Sequence, residues 1–147
     1  MPYTSVYVDD GKGVLRTGSG VLTGLELISC AIQLGRDDEH ARHLHYGLVD
    51  FSAVTEMKVT PEDIRQLVEM SRKTAVVTPG ALVAVIAPDP LPYAIARLWH
   101  TFAEDLGWKT NVFHTRADAL AWLRKELLYR RGANTDLNQY PTLQQSA

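Results

Sequence analysis

The stretch Ala81-Leu-Val-Ala-Val-Ile-Ala87 decides the fold, because all seven of its residues are apolar. A strand that is apolar on both of its alternating faces must be covered on both sides, as in parallel sheets packed between helices. The run is also far shorter than the roughly 20 apolar residues that a membrane-spanning helix needs. It therefore predicts an interior strand of a helix-covered sheet and no membrane span.

Helix-start signals lie on both sides of this strand. The pattern Thr-x-x-acid, in which a hydroxyl and a carboxylate can cap each other's amides, begins at Thr23, Thr60 and Thr115. Directly after the strand, the proline-rich segment at residues 88–92 ends it and favours the start of another helix. The sequence thus predicts four helices, which begin near residues 23, 60, 90 and 115.

Short β-type runs fill the intervals between these helices. The predicted order is β-β-α-β-α-β-α-β-α, in which the first two strands form a hairpin around Asp10-Gly11. Because strand-helix-strand crossovers are right-handed, strands two to five are expected to run parallel. The fold class is α/β, a single mixed sheet covered by helices. The predicted strands are residues 5–9, 13–17, 46–51, 81–87 and 110–114.

Two parts of the chain are distinguished by composition. Residues 1–128 are predicted to form one domain, in line with a length of 147 residues. Residues 129–147 have few apolar positions and no hydrophobic period, which is typical of a tail. Such a tail is either flexible or wraps a partner subunit, with anchors available at Leu137, Tyr140 and Leu143.

Charge and cysteine content limit the possible functions. The formal charge of −2 gives no electrostatic footprint for nucleic acid. The single cysteine, Cys30, excludes an intramolecular disulfide and fits a reducing compartment. The first residues show no secretory signal pattern, so a cytoplasmic location is expected.

Polar and aromatic residues follow the predicted strands at the end of the sheet where ligands bind in parallel α/β folds. They include an acid, a hydroxyl, a phenol and an imidazole, which are groups that support acid-base chemistry. Each also has an ordinary structural use, such as capping a helix or accepting from a loop amide. The ligand-binding candidates are Asp50, Ser52, Asp89, Tyr93 and His114. No catalytic residue is predicted.

Other reactive side chains have simpler interpretations. Three histidines lie among acidic residues, but nothing fixes a full ligand set, so we predict a solvated loop and no metal site. Cys30 falls in the middle of a predicted helix, which is typical of a small core residue. The nucleophile elbow and the phosphate-binding glycine loops are absent from the sequence, so no cofactor is predicted. The histidine-rich loop comprises Asp37, Asp38, Glu39, His40, His43 and His45.

Five landmarks together resemble the bacterial STAS-like proteins related to anti-sigma-factor antagonists. They are Gly20-Val-Leu-Thr-Gly-Leu-Glu-Leu, Gly47-Leu-Val-Asp-Phe-Ser, Val83-Ala-Val-Ile-Ala-Pro, Ala96-Arg-Leu-Trp and Ala119-Leu-Ala-Trp-Leu. The resemblance covers about residues 5–127. It implies a non-enzymatic domain that binds partner proteins, nucleotides or other small ligands, and that phosphorylation can switch at a serine or threonine between the third strand and the second helix.

This chain departs from the family at that junction. The Asp-Ser-(Ser/Thr)-Gly signature is absent, and Ser52 and Thr60 are the hydroxyls nearby. Capping fully explains Thr60, and whether either residue is phosphorylated stays open. The sheet of this subgroup also resembles that of CRAL-TRIO-type lipid-binding domains, which implies small apolar ligands as another possibility.

These observations leave three hypotheses. The first is a regulatory or protein-interaction module that forms a homodimer, with Trp122 and Tyr129 as aromatic contacts. The second is a carrier of a small apolar ligand at the carboxyl ends of the strands, which needs an apolar cavity of about 300 Å³ or more. The third, an enzyme, needs Asp50 and His114 within hydrogen-bond reach of each other or of a shared space.

Overall fold

A computed structural model describes residues 3–131 and 136–144. Five strands and five helices are found in these ranges, with short 3-10 turns after α4 and near the end of the chain. Their bounds are β1 Tyr3–Val8, β2 Gly13–Thr23, α1 Gly24–Arg36, α2 Asp38–Ala41, β3 Tyr46–Lys58, α3 Pro61–Val77, β4 Leu82–Ile86, α4 Pro90–Phe102, β5 Lys109–Phe113 and α5 Arg116–Arg131.

The strands form one mixed sheet in the order β1-β2-β3-β4-β5. β1 pairs antiparallel with β2, and the remaining neighbours pair parallel. One buried cluster fills the space between the sheet and α1, α3 and α4, and a second lies under α5. β4 contributes alternate residues to both clusters, which confirms the α/β class and the interior position of residues 81–87.

Two of the three capping boxes predicted from the sequence are present in full, and at the third, Thr115 Oγ1 accepts from the Asp118 amide at 3.2 Å. At the start of α1, the Glu26 amide donates to Thr23 Oγ1 at 3.3 Å, and the Thr23 amide donates to Glu26 Oε1 at 3.2 Å. Thr60 and Asp63 make the same reciprocal pair at α3. These local hydrogen bonds satisfy amides that have no partner within a helix, so the short-range sequence pattern is enough to locate both helix starts.

β3 is longer than the sequence predicts. The predicted strand ended at Phe51, whereas β3 continues to Lys58 beside β2, beyond the end of β4. Two register shifts each give β3 one extra residue relative to β2, as in β-bulges. Phe51, Val54 and Met57 are consequently buried at every third position, and the two-residue alternation that identifies a strand is lost.

The C-terminal residues that the structure describes pack on the domain's own sheet. Tyr140 and Leu143, two of the predicted anchors, are fully buried under α5 in the second cluster. The Tyr140 hydroxyl lies 2.8 Å from His45 Nδ1, and Thr142 donates to Asp9 Oδ1 through its amide and its hydroxyl. Tyr140 and Leu143 are therefore part of the core, although most residues of the segment 136–144 are exposed. Residues 129–131 of the predicted tail belong to α5, and the prediction for residues 132–135 and 145–147 falls outside the described residues.

No helix within residues 3–131 and 136–144 combines the length and the apolar character that crossing a membrane requires.

Candidate functional site

The predicted site residues lie near the point where the β3-β4 and β4-β5 ladders end. Asp50, Ile86 and Phe113 are aligned across β3, β4 and β5 as the last paired residues of the β3-β4 and β4-β5 ladders. His114 directly follows β5, and the segment after β4 leads into α4. Ser52, which was expected to follow the third strand, lies within β3 because that strand continues beside β2 to Lys58. This end of the sheet, defined by Asp50, Ser52, Asp89, Tyr93 and His114, is called the carboxyl-end surface below.

The Asp50 carboxylate is already engaged by other groups of the chain. It accepts a hydrogen bond from the Ser52 amide at 2.8 Å. Its other oxygen lies 3.7 Å from Arg116 Nη1 in the first turn of α5. The pair is partly buried, so Asp50 acts as a tether between β3 and α5, and Ser52 stays exposed beside it.

Tyr93 and His114 form an aromatic stack. Their ring centroids lie 4.0 Å apart with an angle of 14° between the planes. Tyr93 is half-buried and His114 is exposed. In the part of the chain that the structure describes, no hydrogen bond or ion pair joins His114 to Asp50. The two groups named in the enzyme hypothesis are thus engaged with different partners.

Asp89 occupies the N-cap position of α4, but its side chain makes no capping hydrogen bond. Its backbone carbonyl accepts from the Tyr93 amide at 3.0 Å instead. An N-cap side chain accepts from the second or third helical amide. Because the third position of α4 is Pro92, one of these donors does not exist. The structure therefore corrects the expectation that the Asp89 carboxylate caps this helix, and leaves it exposed.

A cavity of about 100 Å³ lies between the sheet and α1, α3 and α4. Most of its wall is apolar, with Leu27, Val49 and Trp99 among the lining residues, and none of the carboxyl-end residues lines it. Its volume is well below the roughly 300 Å³ at which ordinary ligand sites begin. The enclosed space of this domain and the carboxyl-end surface are therefore separate features.

Arg16 and Thr74 are the notable polar residues in the cavity wall, and the sequence analysis did not single them out. Arg16 is on β2, in phase with Val14, so its side chain faces the helices. The sequence carried a signal for this position: Arg16 is two residues from Val14, so both side chains point to the same face of the strand, and that face is buried at Val14. Beside it, burial raises the pKa of the Tyr3 phenol to about 12, and the Arg16 charge partly opposes that rise.

The histidine-rich loop forms pairs and holds no cluster of ligands. His40 Nδ1 lies 2.7 Å from Asp37 Oδ1, and this contact raises the pKa of His40 and lowers that of Asp37. His45 instead contacts Tyr140. Across residues 3–131 and 136–144, no group of three or more histidine, cysteine or acidic side chains is placed to hold a metal ion.

The contacts at the carboxyl-end surface engage two of the candidate groups within the chain. Asp50 is held by an amide and a guanidinium, and His114 is held against an aromatic ring. Neither residue lines the cavity. Comparisons with protein-family models, curated proteins and solved structures found no match to this chain.

Proposed function

We propose that the chain is a non-enzymatic interaction module that works as a homodimer, with a STAS-like topology and a regulatory role in the cytoplasm. The resemblance of its sequence landmarks supports the regulatory role. The paired state of Asp50 and the exposed stack of Tyr93 and His114 support binding through a surface. The small cavity volume favours this proposal over the carrier of a larger apolar ligand.

The observation that carries the proposal is the exposed aromatic end of α5. Tyr129 is 85% exposed, which is an unusually large exposed fraction for an aromatic side chain. It therefore contributes little to the core of its own domain. Tyrosine is enriched in protein interfaces because its ring buries a large area while its hydroxyl can still form hydrogen bonds. Leu128 beside it is also exposed, so the end of α5 carries apolar area suited to a partner.

The face of α5 that carries Tyr129 is complementary to the same face of a second copy. Asp118, Trp122, Lys125 and Tyr129 recur at helical spacing and form one stripe. A two-fold axis midway between Asp118 and Lys125 places each of these charges opposite the other in a second copy. This self-complementarity is what an isologous dimer interface requires.

Sedimentation velocity over about 1 to 100 µM protein tests the proposal. We expect the wild type to dimerise within this range and Tyr129→Ser to weaken dimerisation at least about tenfold, as for a central interface aromatic. Val76→Ser is the matched control, because Val76 is an exposed apolar residue on α3. That variant should dimerise like the wild type.

Charge reversal gives a second, more specific readout. Lys125→Asp should weaken the dimer, and adding Asp118→Lys in the same chain should restore it, since the two charges then exchange places across the two-fold axis. A wild type that stays monomeric at 100 µM would exclude the homodimer. Equal effects of Tyr129→Ser and Val76→Ser would exclude α5 as its interface.

A further inference from the structure

The cavity beneath the helices contains polar atoms that the fold leaves unsatisfied. Arg16 Nε and Nη2 and Thr74 Oγ1 are buried and have no hydrogen-bond partner among residues 3–131 and 136–144. Arg16 and Thr74 line the same cavity. Buried polar groups in native proteins are nearly always hydrogen-bonded, and an exception calls for an explanation such as a missing ligand. Arg16 as a whole is only partly buried, but two of its guanidinium nitrogens are enclosed, and enclosing a charged group without hydrogen-bond partners is costly.

Nothing else in the described chain compensates this charge. None of the ion pairs within the described residues includes Arg16. The Tyr3 phenol interacts with the guanidinium, but a pKa of about 12 keeps Tyr3 neutral at physiological pH. A neutral oxygen can satisfy one N–H group and cannot neutralise the charge. An anion that reached the guanidinium would therefore meet no competing carboxylate among the described residues.

The two unsatisfied nitrogens define the shape of the anion that would fit. Nε and Nη2 form one edge of the planar guanidinium, and their N–H groups point in the same direction. This edge matches the two oxygens of a carboxylate and binds them through parallel hydrogen bonds. Thr74 Oγ1 offers a further hydroxyl in the same cavity, whereas the nearby Ser71 hydroxyl is already used, since it donates to the Leu67 carbonyl at 2.8 Å.

The rest of the cavity defines what is attached to the carboxylate. Its walls are mainly aliphatic and aromatic, and its volume of about 100 Å³ is too small for a long acyl chain or a nucleotide. We propose that the cavity binds a short aliphatic monocarboxylate, with the carboxylate on the Arg16 edge and the alkyl chain among residues such as Leu27, Ile95 and Trp99. This site is separate from the α5 interface, so either proposal can fail without the other.

Titration calorimetry with the sodium salts of acetate, butyrate, hexanoate and decanoate, at constant ionic strength, tests the site directly. We expect the tightest binding for butyrate or hexanoate, with a Kd of about 10 µM to 1 mM for so few atoms. Acetate lacks the apolar chain, and decanoate exceeds the volume. Hexanol and inorganic phosphate are the control ligands: the first has the chain without the anion, and the second has an anion without the chain.

Variants of Arg16 connect binding to this side chain. Arg16→Met should weaken hexanoate binding at least about 30-fold, as expected when charge-assisted hydrogen bonds are lost. Arg16→Lys retains the charge without the paired N–H edge, and should weaken binding about tenfold; it also serves if the methionine variant fails to fold. Arg42→Met removes a surface arginine that pairs with Asp38 and should leave binding unchanged.

The Arg16 Nε–H resonance in a ¹⁵N spectrum provides an independent signature, because a carboxylate on this edge should shift it. The proposal is overturned if no acid of the series binds at 10 mM, if hexanol binds as tightly as hexanoate, or if phosphate binds more tightly than both. It is equally overturned if Arg16→Met and Arg16→Lys, both folded, bind hexanoate like the wild type.

Discussion

The two faces of the sheet differ in how completely their buried polar groups are paired. On the α5 side, Asp9 accepts hydrogen bonds from the Tyr46 hydroxyl and from Thr142, and Tyr140 contacts His45. On the side covered by α1, α3 and α4, the guanidinium of Arg16 has two unsatisfied nitrogens beside a cavity.

This difference indicates different roles for the two faces. A fully paired polar network stabilises a single arrangement, and here it holds residues 136–144 against β3 and the β1-β2 turn. A buried charge without a partner lowers stability, so its presence is better explained by something that binds it. We therefore assign a structural role to the α5 side and a ligand-binding role to the helix-covered cavity.

The largest expected effect is on the α5 side. Tyr140→Ala should lower the free energy of unfolding by about 3 to 5 kcal/mol, because a fully buried aromatic ring is removed. Tyr140→Phe is the matched control, since it keeps the ring and loses only the hydroxyl contact with His45; it should cost about 1 kcal/mol. Urea unfolding measures both. A Tyr140→Ala protein as stable as the wild type would show that residues 136–144 do not pack in solution.

A smaller loss is expected at Asp9. Asp9→Asn should cost about 1 to 3 kcal/mol, because an acceptor of three hydrogen bonds from Tyr46 and Thr142 is replaced by a group that is partly a donor. Asparagine tolerates the positive φ of 55° at this position, so backbone strain does not confuse the result. Asp10→Asn, at a neighbouring residue with φ of 56°, is the control.

The difference between the Asp9 and Asp10 variants is the informative quantity in urea unfolding. If both changes cost the same, the side-chain network around Asp9 contributes nothing specific, and the two faces of the sheet would differ less than the structure indicates.

The smallest effect should have the opposite sign. Without carboxylate, Arg16→Met should raise the free energy of unfolding by about 1 to 2 kcal/mol, because an apolar side chain of comparable length replaces an uncompensated buried charge. Arg42→Met, at a side chain 51% exposed, should change it by less than about 0.5 kcal/mol. Thermal unfolding in a buffer without carboxylic acids measures both changes in the free energy of unfolding. Destabilisation by Arg16→Met would mean that the folded chain itself compensates the charge.

The parts of the fold that were predictable depend on short-range patterns. The apolar run at residues 81–87 and the capping boxes at Thr23 and Thr60 identify elements from fewer than ten residues each. The continuation of β3 to Lys58 was missed because bulges relative to β2 replace the alternation with a three-residue period. A bulge is a property of two paired strands, so one strand's sequence does not reveal it.

The candidate site shows the same division. The sequence predicted Asp50, Ser52, Asp89, Tyr93 and His114 at one end of the sheet; the β3-β4 and β4-β5 ladders do end at Asp50, Ile86 and Phe113, but β3 itself continues to Lys58. It did not predict that Asp50 pairs with Arg116 or that His114 stacks on Tyr93, because those contacts join residues from different elements.

The sequence by itself determined the α/β class, the interior position of β4 and the starts of α1 and α3, since hydrophobic pattern and capping act between residues that are close along the chain. Only the tertiary structure decided that Tyr140 is buried against His45 and that two guanidinium nitrogens of Arg16 are enclosed without a hydrogen-bond partner among the described residues. Both outcomes depend on which side chains from distant segments share one interior, and on whether their hydrogen-bonding groups find partners there.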